Sequence, residues 1–314
     1  MMGQTCRDLR VATADRSWAH RKSRGCNLGH NAPMTMSASD GSPTRRLAVI
    51  GGGQMGGAIL TRAISAGLYS TSEVVVSDAD AGIRDRLRAS LGVTAIFDTP
   101  AAIDGATCIL LAVKPQILTA LGRDLRGRLH PGQVVLSIAA GIELATLQDA
   151  LGHTAIVRAM PNTPAQVGQG VTAWCATPDV GDASRAEIRA LLASVGTELE
   201  VDAERYLDMV TAVSGSGPAW AMVIIEAMTD AGVQLGLRRD WSYELVLQTL
   251  AGSVALARAT GRHPADLRNM VTTPGGTTAA GLAAMERSGL RAALADGIVA
   301  AYQRSVELGA TARK

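Results

Sequence analysis

Short apolar runs with no polar interruption, separated by stretches of helical periodicity, leave this chain few ways to fold. Cys108-Ile109-Leu110-Leu111-Ala112-Val113 shows no alternation, and Leu47 to Ile50, Val74 to Ser77, Ala95 to Phe97, Val134 to Ala139, Ala155 to Met160 and Val171 to Ala176 read the same way. A strand with one face in water alternates; a strand covered by helices on both faces need not. Gln54 to Ala66 and Asp80 to Leu91 supply intervening helices. The alternation predicts an α/β fold, a doubly wound parallel sheet.

From about Asp202 the strand signals stop. One helix is expected from Pro218, at a first helical position, to Leu235. A second is expected behind Asp240 as its cap, ending at Gly261, with Leu247, Leu250 and Val254 on one face. Residues 1–44 are rich in Arg, Ser and Asn and close on Ser39-Asp40-Gly41-Ser42-Pro43, a loop composition. They read as a disordered N-terminal extension, either a flexible arm or an over-extended translation start ahead of Met34 and Met36. The expected division is 1–44 extension, 45–201 sheet domain and 202–314 small all-helical domain.

With 47% hydrophobic residues over 314 positions the chain can bury a sizeable core, yet aromatic residues make up only 3%. Contacts must come from close approach of Ala- and Gly-rich backbones. A helical domain of about 110 residues built this way is thin by itself. A homodimer or higher homo-oligomer through the C-terminal helices is therefore expected.

The net charge of +2 is not gathered into basic stripes, so no nucleic-acid partner is expected. No run approaches roughly 18 uninterrupted apolar residues and no leader pattern opens the chain, which predicts no membrane partner and a cytoplasmic location. Cys6, Cys26, Cys108 and Cys175 form no CxxC pair, and His20, His30, His130, His153 and His263 show no ligand spacing. Neither disulfide nor metal is expected. No GxSxG elbow supplies an acyl-transfer nucleophile.

Ile50-Gly51-Gly52-Gly53-Gln54-Met55-Gly56 sits where the first strand gives way to the first helix. Gly51 can make the tight turn, Gly53 lets backbone approach a pyrophosphate, and Gly56 allows close helix–strand packing. The helix then offers unpaired N–H groups and the positive end of its dipole. Strand, turn, helix and the acidic Asp78 after the second strand complete the context of a Rossmann dinucleotide site. Asp78 favours the free 2′-hydroxyl of NAD, whereas the hydroxyl of Ser77 can accommodate a 2′-phosphate, so the two pull in opposite directions. Ala112-Val113-Lys114-Pro115 ends the fourth strand on the same sheet edge. Lys114 either reaches the cofactor or is a surface lysine before a helix-starting proline.

Four further segments follow: Ala139-Ala140-Gly141, Arg158-Ala159-Met160-Pro161-Asn162-Thr163-Pro164, Ser214-Gly215-Ser216-Gly217-Pro218-Ala219 and Thr272-Thr273-Pro274-Gly275-Gly276-Thr277-Thr278. Their order and spacing resemble the pyrroline-5-carboxylate reductase family from Arg46 to Gly309. The resemblance implies reduction of the cyclic imine 1-pyrroline-5-carboxylate to proline with NADPH or NADH, NADPH slightly preferred on family grounds. It implies a helical dimerisation domain and active sites shared between subunits. Carried over by motif, Ile50, Gly51, Gly52, Gly53, Gln54, Met55, Ser77, Ala112, Val113, Lys114 and Pro115 contact the cofactor, with Ile138, Ala139 and Ala140 nearby. Thr278 is implied as the hydroxyl that meets the ring nitrogen. The chain departs from the family pattern at Thr99, where Asn is frequent, and at Gly261, where some members have Glu.

The chemistry of the last segment fits that implication. Thr273, Gly275, Gly276, Thr277 and Thr278 can present consecutive backbone N–H groups to a substrate carboxylate. Thr278 can donate to an imine nitrogen. The alternative is a plain turn in which Thr277 or Thr278 caps a helix over Ala279 to Arg287. Ser216 is open in the same way, as a cap for the helix at Pro218 and as a substrate contact. A related cyclic-imine reductase, a β-hydroxyacid dehydrogenase and a non-catalytic NAD(P)-binding regulator are the competing readings. The dehydrogenase needs a lysine in its helical domain, and after Lys114 the only lysine is Lys314.

Overall fold

The computed structural model describes residues 46–312; the reading of 1–44 lies outside them. One eight-stranded sheet has the order β3-β2-β1-β4-β5-β6-β7-β8. Its strands are β1 Leu47–Ile50, β2 Val74–Ser77, β3 Thr94–Ile96, β4 Cys108–Leu111, β5 Val134–Ser137, β6 Ile156–Met160, β7 Gly170–Ala176 and β8 Gly196–Glu200. β1, β2, β4 and β5 are buried at every residue. Leu47, Val49, Val74 and Val76 join α1 (Gln54–Ser65), α2 (Ala81–Leu91) and α6 (Asp182–Ala193) in one core. Ala48, Ile50, Ile109 and Leu111 join α3 (Thr99–Ile103), α4 (Pro115–Leu125) and α5 (Leu144–Leu151) in the other. That two-sided burial is why the strands carry no alternation.

β4 and β5 end two residues earlier than the apolar runs suggest. Ala112–Val113 and Ile138–Ala139 continue past the strands at the carboxyl edge, where the strand order reverses between the paired strands β1 and β4.

The sheet is parallel except at one pair. β7 runs antiparallel to β6, because the link from Met160 to Gly170 holds only the 3₁₀ turn Thr163–Val167, too short for a parallel crossover. β8 then returns parallel to β7 through α6. Its sequence, Gly-Thr-Glu-Leu-Glu, carries no apolar run, and Leu199 is exposed at this sheet edge.

Beyond Glu200 the chain is helical: α7 Tyr206–Val210, a π-helical turn Thr211–Gly215, α8 Gly217–Gln234, α9 Arg239–Thr260, α10 Pro264–Met270, α11 Thr277–Arg287 and α12 Leu290–Ala312. Asp240 does not cap α9. Arg238 holds the cap position and Asp240 lies in the first turn, where its carboxylate accepts from Arg238 Nε at 3.1 Å and Nη2 at 2.5 Å. A carboxylate there still suits the helix dipole. Leu247 and Leu250 are half-buried while Val254 is exposed, as are Met222, Val223 and Leu245. A single chain thus leaves much apolar helical surface uncovered. The run Tyr206–Gln234 has the length and mean hydropathy, 1.2, to cross a bilayer by those measures alone.

Arg158 joins the helices to the sheet. Its buried guanidinium donates from Nη1 to Glu204 Oε1 at 2.8 Å and from Nη2 to Asp208 Oδ1 at 3.4 Å. Glu204 also accepts from Leu144 N, and Asp208 from Ser305 Oγ of α12.

Cys108 and Cys175 are buried free thiols. Desolvation is the main cause pushing both upward, Cys175 to about 11. The thiolate is the reactive species, so native protein near neutral pH should leave both unalkylated, and denaturant should expose both to modification by peptide mass mapping.

Candidate active site

Gly51 has φ +99°, and a Cβ there would lie 2.7 Å from the carbonyl oxygen of Ala112. Only glycine makes this turn at this distance. Gly51 N donates to Ser77 O at 2.8 Å and Ala112 N to Ile50 O at 2.8 Å, so the turn is tied to both neighbouring strands. At Gly56 a Cβ would fall 2.1 Å from Gly51 O, whereas Gly53 faces open space with nothing within 4 Å. Gly53 holds the cap position of α1 without a side-chain cap, which leaves the first-turn N–H groups free of a side-chain partner.

A cleft of about 620 Å³ opens in front of this turn. Ile50, Gly51, Gly53, Ser77, Ala112, Val113 and Lys114 border it together. Gly52, Gln54 and Met55 stand beside them in the turn and first helical residues without lining the cleft. Pro115 and Ala140 border an adjoining, mostly apolar cavity of about 430 Å³ between α4, α5 and Leu308 of α12. Ile138 and Ala139 follow β5 and line neither space.

The end of the cleft beside β2 and β3 contains what the fingerprint alone does not reveal. Phe97, the only phenylalanine of the chain, is 71% exposed on the cleft wall beside Asp98, Thr99 and Pro100. An exposed ring on a cleft wall can stack against a flat ligand. Its signal lay at the end of the third apolar run, where a doubly wound sheet places ligand contacts. Asp78 also clamps the glycine turn, since its Oδ2 accepts from Gly52 N at 2.7 Å and its Oδ1 from Asp80 N at 2.9 Å. The Ser77 hydroxyl is buried, 2.8 Å from Thr99 Oγ1 and 3.2 Å from Phe97 O. Arg84 donates to the carbonyls of Asp78 and Ala79 and lies over the Phe97 ring, 5.8 Å from its centre.

The substrate-side candidates lie elsewhere. Thr273, Gly275, Gly276, Thr277 and Thr278 connect α10 to α11, and neither they nor Ser216 border the cleft of their own chain. Gly275 turns the chain at φ +69°. Gly276 takes the cap position of α11, so Thr277 and Thr278 are its first helical residues and neither hydroxyl caps it, contrary to the capping alternative. Ser216 makes no side-chain cap either, because the backbone reaches α8 already helical through the π turn, with φ −84° and ψ −20°.

The reversal of strand order, the glycine turn against an uncapped helix and the cleft before it define a dinucleotide-binding protein of the Rossmann class. Two family models match: "Pyrroline-5-carboxylate reductase dimerisation" over residues 204–308 and "NADP oxidoreductase coenzyme F420-dependent" over 46–141. The chain is 42% identical over 264 residues to the pyrroline-5-carboxylate reductase of Synechocystis, covering 84% of this chain and 98% of that one. Among solved structures, that of Coxiella burnetii pyrroline-5-carboxylate reductase is 32% identical with a TM-score of 0.79, covering 84% of this chain and 98% of its own. The Plasmodium falciparum pyrroline carboxylate reductase with NADP bound is 28% identical with a TM-score of 0.77, covering 86% and 100%. The chain belongs to the pyrroline-5-carboxylate reductase family of NAD(P)H-dependent oxidoreductases.

Proposed function

We propose that this chain reduces 1-pyrroline-5-carboxylate to L-proline, the last step of proline biosynthesis, as a cytoplasmic homo-oligomer paired through its C-terminal helices. The carrying observation is the turn Thr273–Thr278: a glycine-made bend opens into α11 with no side-chain cap, so donors that a cap would consume stay available. Such a set takes a carboxylate without a basic side chain. NADPH or NADH, held by the glycine turn, Ser77 and Ala112–Pro115, supplies the hydride.

The side chains then have little covalent work. The N–H groups of Thr277 and Thr278 orient the substrate carboxylate, while that of Gly276 closes the turn by donating to Thr273 O at 3.0 Å. The Thr278 hydroxyl donates to the imine nitrogen, drawing electron density from the C=N carbon as hydride reaches it. One hydride on carbon and one proton on nitrogen complete the amine. Because this turn lies away from its own chain's cleft, the reading pairs it with the cleft of a second copy. The uncovered apolar faces of α8 and α9 support that pairing.

Thr278→Ala should lower kcat roughly tenfold, the loss of one hydrogen bond to a nitrogen that gains negative charge as hydride reaches the carbon, with the NADPH dissociation constant nearly unchanged. Steady-state kinetics beside a direct cofactor titration checks this. Unaltered kcat would remove the hydroxyl from the mechanism.

A further inference from the structure

Asn162 follows β6 at the carboxyl edge of the sheet and is buried. Its Oδ1 accepts from Val171 N at 2.9 Å, which fixes the amide's orientation, since only the oxygen can face an N–H. Nδ2 then donates to Ser214 O at 3.2 Å. That carbonyl lies in the π turn, four residues before Pro218. In a continuing helix the residue at 218 would donate to it, and proline has no N–H. The next N–H, of Ala219, goes instead to Ser216 O at 2.9 Å.

We infer that Asn162 is a positioning residue for the reduction. Its amide replaces the hydrogen bond that Pro218 deletes, and so fixes the entry of α8, with Ser216, against the sheet edge where Ile138–Ala140 leave the neighbouring strand β5. The inference rests on the functional reading above. The contact between Met160 and the same turn supports it: a Cβ on Gly215 would lie 2.8 Å from Met160 Cε, so the glycine lets the turn sit directly on the end of β6. π-turns within helices recur at functional sites, and displacement of a positioned group by an ångström is costly to turnover.

The test exploits the chemistry of the missing donor. Asn162→Asp keeps the acceptor for Val171 N but removes the donor to Ser214 O, whereas Pro218→Ala gives residue 218 an N–H of its own. With wild type first shown to reduce pyrroline-5-carboxylate, kcat, KM, NADPH dissociation constant and thermal midpoint are measured for both single variants and the double. Asn162→Asp should lose roughly tenfold in kcat with cofactor affinity held within about twofold, and the double variant should recover most of kcat. Wild-type kcat in Asn162→Asp would overturn the inference, as would a double variant that regains thermal stability but not kcat. An inactive wild type would instead remove the functional reading on which it stands.

Discussion

Gly56→Ala should sharply weaken dinucleotide binding and lower stability together. The added Cβ would stand 2.1 Å from Gly51 O and 2.9 Å from the Ala112 Cβ, and the obstructing carbonyl cannot turn aside. Gly51 is hydrogen-bonded to Ser77, packed on the backbone of Ala112 and followed by Gly52, whose N–H is held by Asp78. Helix α1 must therefore slide outward, carrying its first-turn N–H groups away from the cleft. We expect NADPH affinity to fall about a hundredfold or more, on the order of 3 kcal/mol. Gly53→Ala is the informative partner. Its Cβ meets nothing in the protein, so it should weaken binding by crowding the ligand while leaving the thermal midpoint unchanged. Calorimetric titration and thermal melts of both variants check the pair. A Gly56→Ala protein that binds NADPH normally would contradict the assigned geometry of the turn.

Arg158→Met should cost far more stability than the loss of a surface ion pair. The arginine is buried and serves two carboxylates, Glu204 and Asp208, which in turn hold the start of α5 and Ser305 of α12. Its removal leaves two acidic groups facing each other without a cation. Breaking a buried pair typically costs about 3–5 kcal/mol. The lower end applies here, since Glu204 and Asp208 side chains keep 28% and 19% exposure, and water offsets part of the loss. Lysine is a poor substitute, because one ammonium cannot span both acceptors as a planar fork does. Denaturant unfolding should show the loss as a lower midpoint. A change below about 1 kcal/mol, the range of exposed pairs, would show that the network contributes no more than a surface contact.

The residues reveal their fold where burial leaves a mark on composition. β1, β2, β4 and β5 are apolar at nearly every position because helices cover both faces, and the glycine turn is legible because Gly51 and Gly56 each answer a close backbone contact. β8 is hidden, since an edge strand of Gly-Thr-Glu-Leu-Glu has water to satisfy it. The direction of β7 is hidden too, because periodicity carries no sense of direction; only the short link from Met160 shows that no crossover fits. At Ser216 local chemistry misleads: a serine before Gly-Pro has the form of a helix cap, but the chain arrives there already helical through a π turn set by Asn162. Asp240 misleads in the same way, since an acidic residue at a helix start serves as well inside the first turn as at the cap. The cleft is readable from Gly51 to Gly56 and at Ser77 and Asp78, and not at Phe97, which belongs to no motif. Thr278 does not border the cleft of its own chain, and its motif carries no distance to that cleft.

The most direct test of imine reduction follows the consumption of reduced nicotinamide when purified protein meets 1-pyrroline-5-carboxylate, with NADPH and NADH run in parallel and proline quantified. Consumption should be matched one for one by proline, since one hydride is transferred per imine. Demonstrable cofactor binding with no consumption of either nucleotide would contradict the assignment.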